Sequence, residues 1–489
     1  MSGVVETATT PPDDQRRRSL IRAMPARMRI KRAMPFVVAL GIWFAPVPEG
    51  LTAPAWHLFA VFAAAILSVL INAFPLLTAS MLAVGAIVLT GTIKPEQAYS
   101  GFANSSVLLV VIAFIVAQAV VKSGLGRRIS LFMVSHFGGS SLGLAYSIVL
   151  TDAGIAPAFP SNTARGGVLY PIVLAVAKGA GSEPGNSENR WLGGYLMFCS
   201  MASLAVSSAL WMTATSANPI AVQIAQQAGL EIDFGTWLLA SAVPSLVAIA
   251  FLPLIVAKIF PPRVGKTPEA PAAARMELAA MGRMSREEWI TAGTFLLMVA
   301  GWIFGNTLQL NTTSVAFTGF GVLLFLNVIT LDDITKQGDT LVTFFWLAVL
   351  FAMSGQLNEL GFMGYVGGRL AAGLSGLSWA SLYVTLVVLY VLIHYMFVSQ
   401  SSQVLALFGV FLDVGVKGGV PLPLMAFGLL FASSYFSVIT PQGGSQNIIF
   451  AASGYLTQPE LYKLGAIVTF AFLVVYLFIG SPWVYFVMG

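Results

Sequence analysis

The chain has 489 residues, of which 57% are hydrophobic and only 9% are charged, and its net charge is +5. No soluble globular domain could shield this much apolar side chain from water, so the composition predicts a polytopic membrane protein. The single cysteine, Cys199, excludes an internal disulfide and a thiolate metal cluster, and the three histidines lie far apart in the sequence. No metal cofactor is therefore expected.

Residues 1–33 contain eight of the lysines and arginines but lack an apolar stretch followed by a small-residue cleavage site. We predict a retained cytoplasmic tail that sets the membrane orientation, rather than a cleaved signal peptide. Contact of this tail with anionic membrane lipid is the alternative interpretation.

Apolar runs close to the roughly 20 residues that span a bilayer as a helix predict an all-α integral membrane protein with about eleven transmembrane helices. The runs lie near residues 34–47, 56–73, 76–92, 105–121, 191–213, 236–259, 288–308, 313–330, 341–357, 424–439 and 464–487. Two further apolar stretches, 141–177 and 379–415, are each interrupted near the middle by a polar motif. Each is predicted to enter the membrane and return on the same side, as a re-entrant helical hairpin.

The polar motifs in the hairpins are Pro160-Ser161-Asn162-Thr163-Ala164-Arg165-Gly166-Gly167 and Ser399-Gln400-Ser401-Ser402-Gln403. The apolar spans that follow each hairpin are broken in turn, by Thr215-Ser216-Ala217-Asn218-Pro219 and by Thr440-Pro441-Gln442-Gly443-Gly444. Proline and glycine at these positions predict unwound backbone at membrane depth, which is tolerated where it lines a cavity or a ligand site.

The charge distribution supports this topology. With the N-terminus inside and eleven crossings, 21 of the 25 lysines and arginines fall on the cytoplasmic side, as the positive-inside rule requires. We expect a multi-pass protein of a bacterial inner membrane, with its N-terminus in the cytoplasm and its C-terminus in the periplasm.

The topology also reveals an internal repeat. Residues 34–259 and 288–489 each contain a glycine-rich turn, a polar-tipped hairpin and a broken helix, in that order. The first hairpin is predicted to enter from the cytoplasm and the second from the periplasm, so the two repeats are inverted, and residues 260–287 form a cytoplasmic linker. Inverted repeats with discontinuous helices indicate a secondary transporter that binds substrate near the bilayer midplane.

Two hairpin tips that face each other would form a receptor for a small anion, because backbone N–H groups at helix N-termini carry partial positive charge. A dicarboxylate fits such a two-ended receptor better than a sugar or a metal ion. The predicted substrate-binding residues are Ser161, Asn162, Thr163, Thr215, Ser216, Asn218, Ser399, Gln400, Ser401, Thr440 and Pro441. Taken singly, serine and threonine in membrane helices more often bond to the backbone.

Arg165 is a cation at membrane depth, where it needs an anionic partner. One hypothesis pairs it with Asp152 for purely structural reasons, and the other assigns it to compensating the charge of the substrate. Asp413 is expected to be solvated or paired with Lys417, and a packed, neutral His394 is favoured over a proton relay.

At these motifs the sequence resembles the divalent anion/sodium symporter family, and within it the exchangers for citrate/succinate, tartrate/succinate and 2-oxoglutarate/malate. The stretch from Thr151-Asp152 through Gly167, and the stretch from His394 through Ser401, carry the resemblance. It implies an elevator-type transporter that forms a homodimer and carries both hairpins and both broken helices across the membrane.

In sodium-coupled members of the family, both tips bind sodium beside the substrate. In exchangers, fixed positive side chains take the place of the sodium ions. Arg165 matches one such position. Gln403 stands where exchangers often have histidine, so binding of a sodium ion near Ser399, Gln400 and Gln403 is left open. We expect exchange of di- or tricarboxylates, namely C4 dicarboxylates, 2-oxoglutarate, tartrate or citrate. Sodium-coupled dicarboxylate symport is the alternative.

Other classes of function are disfavoured by the sequence. An integral-membrane enzyme would need a nucleophile–base pair or a metal cluster at one depth, which the scattered histidines and Cys199 do not provide. We expect membrane lipid and small carboxylate anions as partners, and no nucleic acid.

Overall fold

The computed structural model describes residues 26–185, 189–374, 376–397 and 399–488, apart from the side chains of residues 26, 27 and 442. Every regular element in these ranges is helical, as the composition predicts, and one isolated antiparallel bridge joins Ser140 to Lys266. Most of the predicted basic tail, up to residue 25, lies outside the described residues.

Eleven helices make up the described part of the chain before residue 260. They are α1 (Ala26–Trp43), α2 (Ala53–Leu70), α3 (Leu76–Leu89), α4 (Pro95–Tyr99), α5 (Ser105–Ser123), α6 (Leu125–Phe137), α7 (Ser141–Ile155), α8 (Asn162–Gly179), α9 (Trp191–Leu210), α10 (Ala217–Gln227) and α11 (Phe234–Ile259). Short 3-10 turns occur at Ser100–Ala103, Ala156–Ala158 and Met212–Ala214.

The described residues after 260 form fourteen more helices. They are α12 (Glu269–Met281), α13 (Arg286–Ile303), α14 (Gly305–Leu308), α15 (Thr312–Phe325), α16 (Leu331–Thr335), α17 (Gly338–Glu359), α18 (Phe362–Gly373), α19 (Trp379–His394), α20 (Gln400–Gln403), α21 (Gly409–Lys417), α22 (Leu422–Tyr435), α23 (Ser445–Ala451), α24 (Gln458–Val475) and α25 (Ser481–Met488). π-helical turns at Val404–Phe408 and Tyr476–Gly480 join α20 to α21 and α24 to α25, and a 3-10 turn lies at Pro441–Gly443.

Seven helical segments of the described chain are long and apolar enough to cross a membrane. They are α2, α5, α7 with its 3-10 turn, α9, α11, α17 and the continuous segment Gln458–Met488, and the shorter apolar helices are α3, α15, α19 and α22. Large apolar side chains such as Leu89, Phe325 and Phe486 are 80–89% exposed, as expected of residues that face lipid. The chain is therefore a multi-pass membrane protein, while the number of eleven crossings stays a prediction.

Each predicted span overlaps a helix, but the first differs in position. The span predicted at 34–47 corresponds to α1, which begins at Ala26 and includes the basic residues Arg29, Lys31 and Arg32. Hydropathy alone could not place the start of α1, because the basic residues are compatible with helix but not with an apolar window.

The two halves repeat the same order of helices. The run α5 to α11 corresponds in order to α17, α18, α19, α20 with α21, α22, α23, and α24 with α25. In both halves a glycine with φ of +80°, Gly124 or Gly361, separates the first two helices of the run. This left-handed conformation suits glycine and lets one helix end where the next begins.

Helix α9 lies at the centre of the molecule, since its whole apolar window is buried. It packs against both arms of the first hairpin, α7 and α8, against α11, and against α22 of the other half. The two broken helices therefore lie side by side, which places their breaks close to the hairpin tips.

A helix that the sequence analysis did not predict, α12, lies within the predicted linker 260–287. It packs against α6, where Arg127 forms an ion pair with Glu277 (2.8 Å). Arg128 of α6 also pairs with Glu288 at the start of α13 (2.6 Å). The segment between the halves is thus held against the first half rather than hanging free.

Candidate substrate-binding site

Both polar tips begin a helix through a serine N-cap. The Ser161 Oγ accepts a hydrogen bond from the Ala164 N–H (3.2 Å), and the Ser399 Oγ accepts one from the Ser402 N–H (3.4 Å). A serine in extended conformation that satisfies an early backbone N–H is a favoured helix start. The capping role uses the hydroxyl oxygen, so each hydroxyl proton remains available to a ligand.

The two tips meet. The Asn162 Nδ2 of the first hairpin donates to the Gln400 Oε1 of the second hairpin (3.3 Å). Both residues are the first of their helices, one place after the capping serines. The contact therefore brings the N-termini of α8 and α20 together, as the sequence predicts for a receptor with two ends.

Each tip also contacts the broken helix of the opposite half. The Thr163 hydroxyl bonds to the Ser445 hydroxyl (2.5 Å), and the Ser401 hydroxyl bonds to the Ser216 hydroxyl (2.8 Å). The two pairs are equivalent by the repeat, because Thr163 and Ser401 each lie two residues after a capping serine. We call them the crossed hydroxyl pairs, and they gather the starts of α8, α10, α20 and α23 around one point.

An asparagine holds each break in place by donating both side-chain N–H groups to freed backbone carbonyls. The bonds are Asn218 Nδ2 to the carbonyls of Ser208 (2.7 Å) and Trp211 (3.2 Å), and Asn447 Nδ2 to those of Ser437 (2.6 Å) and Thr440 (3.0 Å). Unwound backbone buried in a membrane protein needs such replacement donors. Asn218, a predicted site residue, thus has a structural role in this geometry, and Asn447 was not predicted.

Arg165 is fully buried behind the first tip and lies 3.4 Å from Asp152. Its guanidinium also donates to serine hydroxyls, to a helix carbonyl and to the Asn162 Oδ1. These acceptors are Ser207 Oγ (2.7 Å), Ser208 Oγ (2.8 Å), the Leu204 carbonyl (3.0 Å) and Asn162 Oδ1 (2.5 Å). The other oxygen of Asp152 accepts from Ser203 (2.7 Å) and Ser207 (2.6 Å). This geometry is the one expected if Arg165 pairs with Asp152 for structural reasons. The alternative, that Arg165 compensates the charge of the substrate, stays a prediction.

The equivalent place behind the second tip is filled by Gln403 and His394. Gln403 contacts His394 Nδ1 through Oε1 (2.5 Å) and donates from Nε2 to the Tyr390 carbonyl (2.9 Å). The His394 Nε2 lies 2.6 Å from the Gly443 carbonyl, so the buried imidazole is packed between the hairpin and the break. Both ends of the Gln403 amide are thus engaged, and a sodium ion near Ser399, Gln400 and Gln403 stays a prediction.

The other predicted residues lie at the same breaks. Thr215 is buried, and Thr440 and Pro441 are half-buried, with Thr440 Oγ1 lacking a hydrogen-bond partner among the described residues.

Asp413 pairs with Lys417 (2.7 Å), one of the two expected alternatives. The sequence analysis missed Ser203, Ser207 and Ser208, although the spacing of four residues places Ser203 and Ser207 on one face of α9.

The geometry can be compared with known proteins. A family sequence model described as "Sodium:sulfate symporter transmembrane region" matches residues 27–489. The chain belongs to the divalent anion/sodium symporter family. The resemblance stated from the tip motifs is thereby confirmed over almost the whole chain.

Several members of the divalent anion/sodium symporter family are similar to this chain over most of their length. YflS of Bacillus subtilis (strain 168), which bears the provisional name of a malate transporter, is 35% identical over 96% of this chain and 98% of its own. "Dicarboxylate transporter 2, chloroplastic" of Spinacia oleracea is 35% identical over 90% of this chain and 78% of its own. "Inner membrane protein YbhI" of Escherichia coli (strain K12) is 31% identical over 90% and 94%.

The fold of this chain is similar to that of a solved structure. The crystal structure of the Alcanivorax borkumensis YdaH transporter, described as having an unusual topology, matches with a TM-score of 0.55 and covers 80% of this chain and 86% of that chain. The sequences are 17% identical, so this likeness concerns the fold alone.

Proposed function

We propose that this protein carries dicarboxylates across a bacterial inner membrane by exchanging one dicarboxylate for another. The observation that supports this most is the contact of Asn162 with Gln400 at the point where helix N-termini of both halves converge. Aligned helix dipoles and unpaired N–H groups favour a bound anion there, and a site with two facing ends suits a molecule with two carboxylates.

The relatives support the substrate class. YflS is named for malate, and the spinach relative is named for dicarboxylates. Both align with this chain over 90% or more of its length, so the hairpins and the breaks fall within the aligned region.

The groups behind the two tips favour exchange over sodium-coupled transport. Sodium beside a substrate would need oxygen ligands and space next to each tip. Behind the first tip that space holds the Arg165 guanidinium, and behind the second it holds the His394–Gln403 pair. A carrier that needs no sodium takes its driving force from the dicarboxylate that moves the other way.

The crossed hydroxyl pairs support movement of both hairpins as one unit. Each pair joins a hairpin of one half to a broken helix of the other. We infer that the tips and breaks travel together with the substrate while the remaining helices form the scaffold of a homodimer.

Proteoliposomes test the proposal directly. Vesicles loaded with unlabelled succinate should take up labelled succinate whether or not a sodium gradient is imposed, and empty vesicles should take up little. The variants Asn162→Ala and Ser399→Ala should each raise the KM for uptake, because each removes a polar group from a tip. Uptake into empty vesicles that follows the sodium gradient would refute exchange.

One set of atoms favours the alternative, sodium-coupled symport. The oxygens Asn218 Oδ1, Asn447 Oδ1 and Thr440 Oγ1 are buried and have no hydrogen-bond partner among the described residues. Neutral oxygens of this kind are the ligands that sodium accepts, together with freed backbone carbonyls at the breaks. If sodium raises the thermal stability of the purified protein and lithium or potassium does not, symport becomes the better hypothesis.

A further inference from the structure

We propose that Arg165 and Ser208 act as positioning residues that lock the side-chain amide of Asn162, so that its Nδ2 always faces the substrate. In this proposal Arg165 serves the site through the direction of its hydrogen bonds rather than through its charge. The inference rests on the proposed dicarboxylate site and specifies how the first tip would recognise one carboxylate.

Two donors converge on one oxygen. The Asn162 Oδ1 accepts from Arg165 Nη2 (2.5 Å) and from Ser208 Oγ (2.6 Å). A side-chain carbonyl has two lone pairs, so both are used. Reversing the amide would turn its NH₂ group towards Arg165 Nη2, which can only donate, so the reversed orientation is excluded and Nδ2 stays directed at Gln400.

The serine proton has a second acceptor within reach, the Leu204 carbonyl (2.6 Å). That carbonyl lies inside α9, where it accepts the backbone N–H four residues further on, so it does not depend on the serine hydroxyl. The Ser208 hydroxyl, which itself accepts from Arg165 Nη2 (2.8 Å), can therefore direct its proton to Asn162. The three side chains form one closed network on α8 and α9.

The charge of Arg165 is already balanced. Asp152 lies 3.4 Å from Arg165 Nη1, both side chains are completely buried, and the Ser203 and Ser207 hydroxyls stabilise the carboxylate. A buried cation with its counter-ion in place adds little net charge to a neighbouring site. Arg165 therefore contributes a fixed orientation of the Asn162 side-chain amide rather than a charge.

The second tip lacks such a lock. Gln403, which lies four residues after Ser399 as Arg165 lies four residues after Ser161, turns to His394 and Tyr390. The Gln400 Nε2 is buried and has no partner among the described residues. The site thus has a fixed amide at one end and an adjustable amide at the other, as would suit dicarboxylates that share one carboxylate position and differ in length.

The experiment compares Ser208→Ala with Ser200→Ala, a matched control at a buried serine of the same helix whose hydroxyl has no hydrogen-bond partner among the described residues. Succinate binding to purified protein is measured by calorimetry, and exchange is measured in proteoliposomes. Ser208→Ala should weaken binding and raise the KM about fivefold or more with kcat little changed. The reason is that the amide of Asn162 loses one orienting hydrogen bond, and about fivefold corresponds to the free energy of one such bond. Ser200→Ala should stay within about twofold, and Ser208→Thr, which keeps the hydroxyl, should restore wild-type binding.

Arg165→Lys separates charge from direction. Lysine keeps the positive charge but lacks the planar fork that reaches Asn162, Ser207 and Ser208 together. Under the proposal, Arg165→Lys weakens binding as much as Arg165→Gln does. If Arg165→Lys binds like wild type while Arg165→Gln does not, charge is what matters and the proposal is overturned.

Equal binding by Ser208→Ala and wild type would also overturn it, while leaving dicarboxylate exchange intact. Failure of the wild-type protein to bind any dicarboxylate would instead refute the proposed function.

Discussion

Replacing Asn218 or Asn447 with alanine removes the donors that hold one break of a broken helix. Each side chain is at most 1% exposed, and each donates two hydrogen bonds through Nδ2 to backbone carbonyls. The side-chain oxygen of each has no partner among the described residues. The main effect therefore comes from two carbonyls that lose their donors.

A buried carbonyl left without a donor costs about 1–2 kcal/mol, so each alanine variant should lose about 2–4 kcal/mol of unfolding free energy. The two variants should lose similar amounts, because the repeat gives them the same pair of bonds. Aspartate at either position should cost more than alanine, since it keeps the volume but places an acceptor against two other acceptors.

The assay is unfolding of the detergent-purified protein by lithium dodecyl sulfate in sodium-free buffer, monitored by circular dichroism. Losses below about 0.5 kcal/mol for both alanine variants would refute the assignment, because that is the size of a surface substitution. A large loss at Asn218 with none at Asn447 would refute the equivalence of the two breaks.

Three further substitutions test local packing and capping. Gly193→Ala should destabilise the protein by about 1–3 kcal/mol, because a Cβ there would lie 2.1 Å from the buried Tyr455 ring. Gly85→Ala should stabilise the protein slightly, because this helical position has open space around it. Thermal unfolding should therefore show a lower melting temperature for Gly193→Ala and a higher one for Gly85→Ala. Ser399→Ala should lower stability by about 1 kcal/mol by removing the cap on the Ser402 N–H, and a melting temperature equal to that of wild type would contradict the capping role.

The sequence was sufficient to predict the helical class, the two hairpins and the residues that begin each tip. Hydropathy identifies apolar stretches, and polar interruptions inside them have few explanations in a membrane, so Ser161 and Ser399 could be placed at helix starts without coordinates. The helix α12 was missed because its alanines and mixed charges match a solvated linker as well as a helix.

The partners of Arg165 show the limit of such predictions. The sequence could nominate Asp152, which lies on the opposite arm of the same hairpin, but not Ser207 and Ser208, which lie on the next helix. Serines inside a span usually bond to their own helix backbone, so only the packing of α8 on α9 reveals that these two face a guanidinium. Likewise, the pairing of Gln403 with His394 depends on how the second hairpin folds back on itself.

The crossed hydroxyl pairs have a consequence for ancestry. Neither repeat alone contains both members of either pair, so a half-length chain would acquire these bonds only by associating with a second copy of itself. Fusion of two such copies into one polypeptide would free each to diverge, and identical subunits could not place an ion pair behind one tip and a glutamine–histidine pair behind the other.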